Sequence, residues 1–474
     1  MSSVVISGIS GRFPRSNDVE DFYKKLLNKE STVTDEFIKD RSSGSHNTPA
    51  SKLQTITKFD QTFFSLHSRL ANVLDPLVRC FIEPCFEAIL DAGINPKSLA
   101  GSNSSVYTNS CISDDESLGC DERLTTNFWL LAHVRCLLAN RIAYLFDLKG
   151  PSFTIDNSWT GGIEVLRQAV QDISEGRVDT AIVGVSNLLL NANLNSLFQG
   201  LNRLSPDGKT RSFDHLANGY ARSEGIVVLL LQRSETALRS YGEVLHAESR
   251  FYGSLERPFV GFNQANLVEF FTNFYQKARV DPGQVDFLEA DGSAIKSLDT
   301  LELNIISQLF CQNRTSALKV GSVKSNIGHS EGASALMSMV KALMAMNTSV
   351  IAPNINFETP NPNIDQRVKV LTEPTPLTGD LVAVTSFSLS GTVAHVLLKR
   401  HPVVATKTKE DQKKNNARPY PRLVLVSSRT EKGIASIIQK KSSGVYLLRS
   451  AVALRPAKSR KFDRATRDFI IDSV

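Results

Sequence analysis

Apolar positions recur along this chain in two periods, and the alternation between them predicts its elements. A continuous run at residues 4–8 (VVISG) reads as a buried strand ending in a turn that holds Gly8, Gly11 and Pro14. Residues 17–27 follow with helical spacing of Val19, Phe22 and Leu26, acidic residues early and lysines late, as a helix dipole favours. A polar stretch at 39–52 reads as loop. Residues 75–92 place Leu77, Phe81, Cys85, Ile89 and Leu90 on one side of a helix, and Gly93 supplies its stop. Residues 126–145 predict a further long apolar helix.

The pattern then switches repeatedly. Strands are expected at 152–155, 180–185 (TAIVGV), 225–231 (GIVVLLL), 285–289, 318–323, 382–387 and 394–398. Helices are expected between them at 161–173, 300–310 and 333–346. Near-continuous apolar strands alternating with helices predict an α/β layered fold whose sheets are covered on both faces. Residues 401–421 break the pattern with charge and proline and read as a linker. One more strand is expected at 423–427 (LVLVS), and beyond residue 440 the basic, weakly patterned chain reads as a frayed or partly disordered end. No short-period repeat is present.

Charge divides the chain unevenly. Residues 402–474 carry 17 basic and 6 acidic residues, a net +11, which leaves −5 on residues 1–401. A mildly acidic body argues against nucleic-acid binding, because the basic surplus does not coat the globular part. No apolar window reaches the roughly 18 residues needed to span a bilayer, and the N-terminus lacks the flank of a secretory signal. Cys80, Cys85, Cys111, Cys120, Cys136 and Cys311 form no CxxC pair and no zinc spacing with histidine. Scattered thiols without metal spacing point to a reducing compartment, so a cytoplasmic location is expected and no metal site.

Two motifs carry chemistry. Gly328-His329-Ser330-Glu331-Gly332 fits G-x-S-x-G, the turn that exposes a nucleophilic serine, with His395 or His401 as its base. The same segment, from Lys324 to Glu331, puts a lysine, a histidine and an acid within eight residues at a strand end. Such a cluster sets a histidine's tautomer and basicity.

Ordered blocks along the chain then carry a resemblance. They are SGISGRFP (7–14), DPLVRCFIE (75–83), EAILDAGINPKSLAG (87–101), ANRIAYLFDLKGPSFTID (139–156), RSFDHLANGYARSEG (211–225), VGSVKSNIGHSEGAS (320–334) and SFSLSGTVAHVLL (386–398). From residue 4 to about 398 the chain resembles the β-ketoacyl synthase domain of animal-type fatty acid synthases and related polyketide synthases. PRLVLVSSRT (421–430) is similar to the start of the linker that joins synthase to acyltransferase. The resemblance implies a thiolase-like α/β fold, two similar halves stacked as α-β-α-β-α, without cofactor and usually a homodimer. It divides the chain into an N-terminal half (1–240), a C-terminal half (241–401) and a basic linker and tail (402–474). It also implies decarboxylative condensation. A cysteine at a helix N-terminus takes an acyl chain from acyl carrier protein, two histidines stabilise the enolate formed from a malonyl thioester, and a lysine organises the site.

Position by position, the match is partial. Where the family reads D-T-A-C-S-S, this chain reads Asp156-Asn157-Ser158-Trp159-Thr160-Gly161, so Trp159 occupies the nucleophile position. Indole offers no ionisable nucleophile, and its bulk is expected to enter the acyl pocket. Ser158 is adjacent but expected to point away, and Cys111 and Cys136 are no evident substitutes. Where the family reads E-A-H-G-T-G-T, this chain reads Glu289-Ala290-Asp291-Gly292-Ser293-Ala294-Ile295, so Asp291 replaces the first histidine. An ionised Asp291 cannot donate to a thioester oxygen and repels a developing enolate; a protonated one could donate. Lys324, His329 and Glu331 match the second motif. In the C-terminal loop Phe387 and His395 match as substrate-binding positions, Leu389 stands for a gating phenylalanine, and Ser388 and Ser390 replace glycines. The expectation is an intact fold without condensation, acting as a structural, regulatory or acyl-binding protein, or else a truncated synthase. Its expected partners are a second copy or an active fatty acid synthase, with acyl carrier protein or an acyl chain as ligand. The alternative is an acyltransferase working through Ser330 or Ser158.

Overall fold

The computed structural model describes residues 3–34, 49–111, 132–190, 192–252, 262–312, 314, 316–401, 422–425 and 469–472. Its main sheet has 11 strands. The first five are β1 (Val4–Arg12), β2 (Ser104–Ser110), β3 (Ser152–Ile155), β4 (Thr180–Asn187) and β5 (Gly225–Arg233). The rest are β6 (Gly242–Phe251), β7 (Phe287–Glu289), β8 (Leu318–Gly321), β9 (Val368–Val370), β10 (Leu381–Phe387) and β11 (Thr392–Lys399). The helices that matter here are α1 (Val19–Leu27), α2 (Pro76–Asp91), α3 (Leu137–Leu145), α4 (Gly161–Ser174), α5 (Gln264–Ala278), α6 (Lys296–Phe310) and α7 (Ser334–Thr348).

Strand order across the sheet is β9-β8-β7-β10-β11-β6-β1-β5-β4-β2-β3. Outward from β1 the pairings run antiparallel, antiparallel, parallel, parallel. Outward from β6 they run antiparallel, antiparallel, then parallel through β7, β8 and β9. The two halves therefore repeat one topology. The two half-sheets meet edge to edge where β1 pairs with β6, at Val5↔Glu243 and Ile6↔Gly242.

Helices complete five layers. In the middle, Ile163 and Leu166 of α4 and Leu336, Val340 and Leu343 of α7 share one core with Val183 and Leu229 of the first half-sheet and Val382 and Val396 of the second. Outside the first half-sheet, Phe81 and Ile89 of α2 and Leu138 and Ile142 of α3 pack on Val106, Ile182 and Leu230. Outside the second, Phe270 and Phe274 of α5 and Leu303 and Ile306 of α6 pack on Leu288, Val320 and Leu397. This is the expected α-β-α-β-α stack, and a strand buried on both faces explains runs such as GIVVLLL. The middle helix α7 is buried on every side and even holds Lys341, whose Nζ lies 2.9 Å from the equally buried Glu289 Oε2.

Several expectations change. The first strand does not stop at Gly8 but stays paired with β5 as far as Arg12↔Ile226; Gly8 admits the close approach of α2, since a Cβ there would lie 2.1 Å from the Ala88 carbonyl. The helix expected at 126–145 is interrupted by a turn at 134–136 and α3 starts at Leu137; residues 126–131 lie outside the described residues. Strand β2 has the sequence SSVYTNS, whose serines, threonine and asparagine hide a fully buried strand from any hydropathy pattern. At the other end, Arg422–Leu425 pairs antiparallel with Phe469–Asp472, in register Arg422↔Asp472. The rest of the stretch beyond residue 440 lies outside the described residues.

Candidate functional site

The topological repeat brings two turns together. A 3-10 turn, Ser158–Thr160, leads into α4, and a second, Glu331–Ala333, leads into α7. Asn109 near the end of β2 ties them. Its Nδ2 donates to the Ser158 carbonyl at 3.2 Å and to the Gly332 carbonyl at 3.0 Å, and its Oδ1 accepts from the Asn157 amide at 3.2 Å. This is why α4 opens with Gly161: a Cβ there would sit 1.8 Å from Asn109 Oδ1.

Trp159 points inward from the first turn and is 3% exposed. Its ring lies 4.2 Å from the His329 imidazole, centre to centre, and 5.9 Å from Tyr220, which it meets edge-on at 88°. Phe198, Leu204 and Ile295 complete the apolar cluster, with Leu389 packed against it.

The second turn is polar. The Glu331 amide donates to His329 Nδ1 at 2.9 Å, so the neutral imidazole carries its proton on Nε2. Burial, reinforced by Lys324 and Arg222, holds the His329 pKa well below the ordinary histidine value. The Glu331 carboxylate is gripped at both oxygens by Arg222, through Nε at 2.5 Å and a second nitrogen at 3.0 Å, with both side chains almost fully buried. Arg222 also forms a parallel bridge with His329, where the Ser223 amide donates to the His329 carbonyl and the His329 amide to the Ala221 carbonyl. Backbone strain concentrates here: Ser158, Phe213, Ala294 and Glu331 all have positive φ, of 51°, 66°, 60° and 46°.

Lys324 joins this turn to the third element. Its Nζ donates to the Asp291 carbonyl at 2.8 Å and to Asp291 Oδ1 at 3.1 Å. The same Oδ1 accepts from the Phe387 amide at 3.1 Å, while Oδ2 meets no partner among the described residues. Asp291 is therefore a buried carboxylate held by one cation. Glu302 accepts from the Asp291 and Gly292 amides, and burial next to Asp291 raises its pKa. Asp299 accepts from the Phe213 amide, and its pKa is pushed up to about 7, mainly by burial and further by Asp291.

The structure thus gathers Trp159, Asp291, Lys324, His329, Glu331 and Leu389. It does not gather the others. The Phe387 side chain turns outward onto Phe262, and only its amide reaches the site. His395 lies on the outer face of β11, bonded to Tyr275 Oη and Thr385 Oγ1, both at 3.0 Å, among Phe271, Phe274 and Phe310. It shares that face with Val393 and Leu397, while Ala394, Val396 and Leu398 face the middle layer. His395 is thus corrected from a substrate-binding position to a core residue, and it cannot serve Ser330 as a base. Ser330 is itself buried, and its Oγ meets no partner among the described residues. Ser158 follows Asp156, whose Oδ1 caps its amide at 3.0 Å. Cys111 lies at the end of β2 against Gly332, its thiol pushed up to about 12 by burial, and Cys136 is exposed at the start of α3.

Sequence reading missed Asn109, Tyr220, Arg222, Asp299 and Glu302. Arg222 stands in the GYARSEG block, and the spacing Asp299/Glu302 places two acids on one helix face, but only the fold shows what either meets. Among the described residues no three His, Cys, Asp or Glu side chains are placed to hold a metal, and no helix is long and apolar enough to cross a membrane.

Family models describe three segments of the chain. The β-ketoacyl synthase N-terminal domain matches residues 1–237, the C-terminal domain residues 241–358, and the ketoacyl-synthetase C-terminal extension residues 360–452. A fatty acid synthase of Anser anser anser is 37% identical over 349 residues, 72% of this chain and 97% of that sequence. A highly reducing polyketide synthase of Sordaria araneosa is 32% identical over 414 residues, 83% of this chain but only 13% of that protein's length. Among solved structures, the ketosynthase from module 6 of the bacillaene synthase from Bacillus subtilis 168 superposes with a TM-score of 0.81 at 25% identity, over 93% of this chain and 77% of that one. An oxazolomycin ketosynthase domain from Streptomyces albus shares the fold, with a TM-score of 0.83 at 22% identity over 94% of this chain and 80% of its own. With the five layers, the two repeated halves and the Lys324–His329–Glu331 turn in place, the chain belongs to the β-ketoacyl synthase family.

Proposed function

We propose that this chain is a β-ketoacyl synthase that has lost decarboxylative condensation and holds an acyl group or a protein partner without turnover. The observation that carries the reading is Trp159, seated at the nucleophile turn with its indole against the His329 imidazole. Covalent catalysis needs a thiolate at that turn, and its loss alone removes many orders of magnitude in rate. Asp291 supports the same conclusion. Its Oδ1 is bonded to Lys324 and to the Phe387 amide, as an ionised carboxylate would be, so it repels a malonyl carboxylate and offers an enolate no donor. Neither serine replaces the nucleophile: Ser330 is buried beside a histidine whose Nδ1 is already occupied, and Ser158 sits one residue off the turn's inward direction.

The chain divides functionally into residues 1–240, 241–401 and 402–474, with acyl carrier protein, a second copy or an active synthase subunit as its partners. The free thiols of Cys80, Cys85, Cys111, Cys136 and Cys311 favour the cytoplasm. The test uses radiolabelled acyl and malonyl thioesters. The purified protein should take up no covalent label and release no carbon dioxide; either product would overturn the reading. Trp159→Cys combined with Asp291→His should recover both.

A further inference from the structure

One fully buried side chain, Asn109 of β2, is bonded to both turns of the site. Its Nδ2 donates to the Ser158 carbonyl at 3.2 Å and to the Gly332 carbonyl at 3.0 Å, and its Oδ1 accepts from the Asn157 amide at 3.2 Å. Each turn holds a left-handed residue at or beside these bonds, Ser158 with φ of 51° and Glu331 with φ of 46°. Non-glycine residues in that region are strained and persist only where their surroundings over-determine them. Asn109 supplies that constraint to both turns at once. The chain leaves room for it, since a Cβ on Gly161 would lie 1.8 Å from Asn109 Oδ1.

What the two turns carry gives this clasp a role. The first carries Trp159, packed with Phe198, Leu204, Ile295 and Leu389. The second fixes His329, whose Nδ1 accepts from the Glu331 amide at 2.9 Å, and the two rings lie 4.2 Å apart, centre to centre. Other bonds of the first turn hold it less firmly to the body. Asp156 Oδ1 to the Ser158 amide and Thr160 Oγ1 to the Asn157 carbonyl are local, both at 3.0 Å, and Ser386 Oγ reaches the Trp159 carbonyl only at 3.5 Å. Asn157 and Ser158 are half-buried, so water can meet their backbone groups once Asn109 lets go. We propose that Asn109 is a positioning residue that latches Trp159 onto His329 as an autoinhibitory contact. With the latch closed the indole occupies the apolar cluster; with it released the turn swings outward and the vacated space admits an acyl chain. This rests on the acyl-binding form of the function proposed above and adds what controls access. A site open only part of the time binds with an affinity reduced by its open fraction, so Asn109 sets affinity without touching the ligand.

The experiment uses the full chain with Trp129→Phe, which leaves Trp159 as its single tryptophan, because the sequence has 2. Asn109→Ala in that background should shift indole emission to the red and raise its quenching by acrylamide. Asn109→Asp, nearly the same shape, keeps the acceptor, loses both donated bonds and should shift emission the same way. Thr108→Val is the comparison: it removes a buried hydroxyl from the same strand, bonded to Thr154 Oγ1 at 2.8 Å, and should leave emission unchanged. The octanoyl thioester of N-acetylcysteamine is then titrated by ligand-observed NMR. Asn109→Ala should bind it about tenfold more tightly than the unsubstituted chain, the scale of one net hydrogen bond removed from the closed state, and Thr108→Val should not. Emission that stays unchanged in both Asn109 variants, or moves equally in Thr108→Val, overturns the latch. Binding that tightens in Trp159→Ala but not in Asn109→Ala overturns its control of access. Failure of the thioester to bind even Trp159→Ala overturns acyl binding instead, and emission alone then decides the latch. Asn109→Asp decides it even if Asn109→Ala does not fold.

Discussion

The turns that open α4 and α7 occupy equivalent places in the two halves and lie against each other, yet they are built from opposite materials. The turn before α7 is polar throughout: Arg222 grips Glu331, the Glu331 amide fixes His329, and Lys324 holds Asp291. The turn before α4 projects an indole into an apolar cluster. Buried ion pairs add little net stability for what they cost to desolvate, whereas an apolar side chain filling a pocket stabilises directly. The polar turn and its left-handed residues are thus expensive features preserved, and the indole is an apolar filling of the neighbouring space.

Four perturbations separate the two turns. The largest effect is expected from Lys324→Met, which strands Asp291 as a buried, unpaired charge and should cost about 3–5 kcal/mol. Urea unfolding measures it, and adding Asp291→Leu should return most of the loss. A cost under about 1 kcal/mol would mean the pair is not what holds this turn. Next, Trp159→Ala should cost about 3 kcal/mol, at the lower edge for a truncated core aromatic because the opened space borders polar atoms that admit water. If it costs nothing, the indole is not filling the pocket.

The third perturbation is pH. Asp299 keeps its proton to about pH 7 in the folded protein, against 3.8 for the ordinary group. The folded state then binds one more proton than the unfolded chain between those values, so this contribution is complete below pH 3.8 and is lost as pH rises towards 7. Thermal unfolding at pH 5 and pH 8 should show that fall, and Asp299→Asn should flatten it. Smallest is a gain. Ala294 holds φ at 60°, a conformation glycine adopts without penalty, so Ala294→Gly should add about 1 kcal/mol. A loss of stability there would show that the Ala294 side chain contributes contacts worth more than the strain.

How much of this was legible beforehand varied by residue. Strands β4 and β5 announce themselves because both faces are covered and each carries an uninterrupted apolar run, at 181–185 and 226–231. Strand β2 does not, since it buries polar side chains, among them Thr108 and Asn109, which meet tertiary partners. The repeat of the two halves is invisible in sequence because the equivalent elements share pairing direction rather than residues. Trp159 and Asp291 were found by position within motifs, and the fold supplied what position could not: one is stacked on His329, the other paired with Lys324. His395 misled because a motif match says nothing of the face a strand residue takes, although the alternation Val393, His395, Leu397 was already written in the chain.

The middle layer has a consequence for how this protein is made. α4 belongs to the first half and packs on its sheet, but its remaining apolar side meets α7, which begins at Ser334. On a ribosome the first half-sheet is complete when β5 ends at Arg233, while the helix that covers α4 is still unwritten. At about 5–20 residues per second, the wait for α7 lasts on the order of ten seconds. During that interval the side of α4 that faces α7 is bare, which is the kind of surface a chaperone shields.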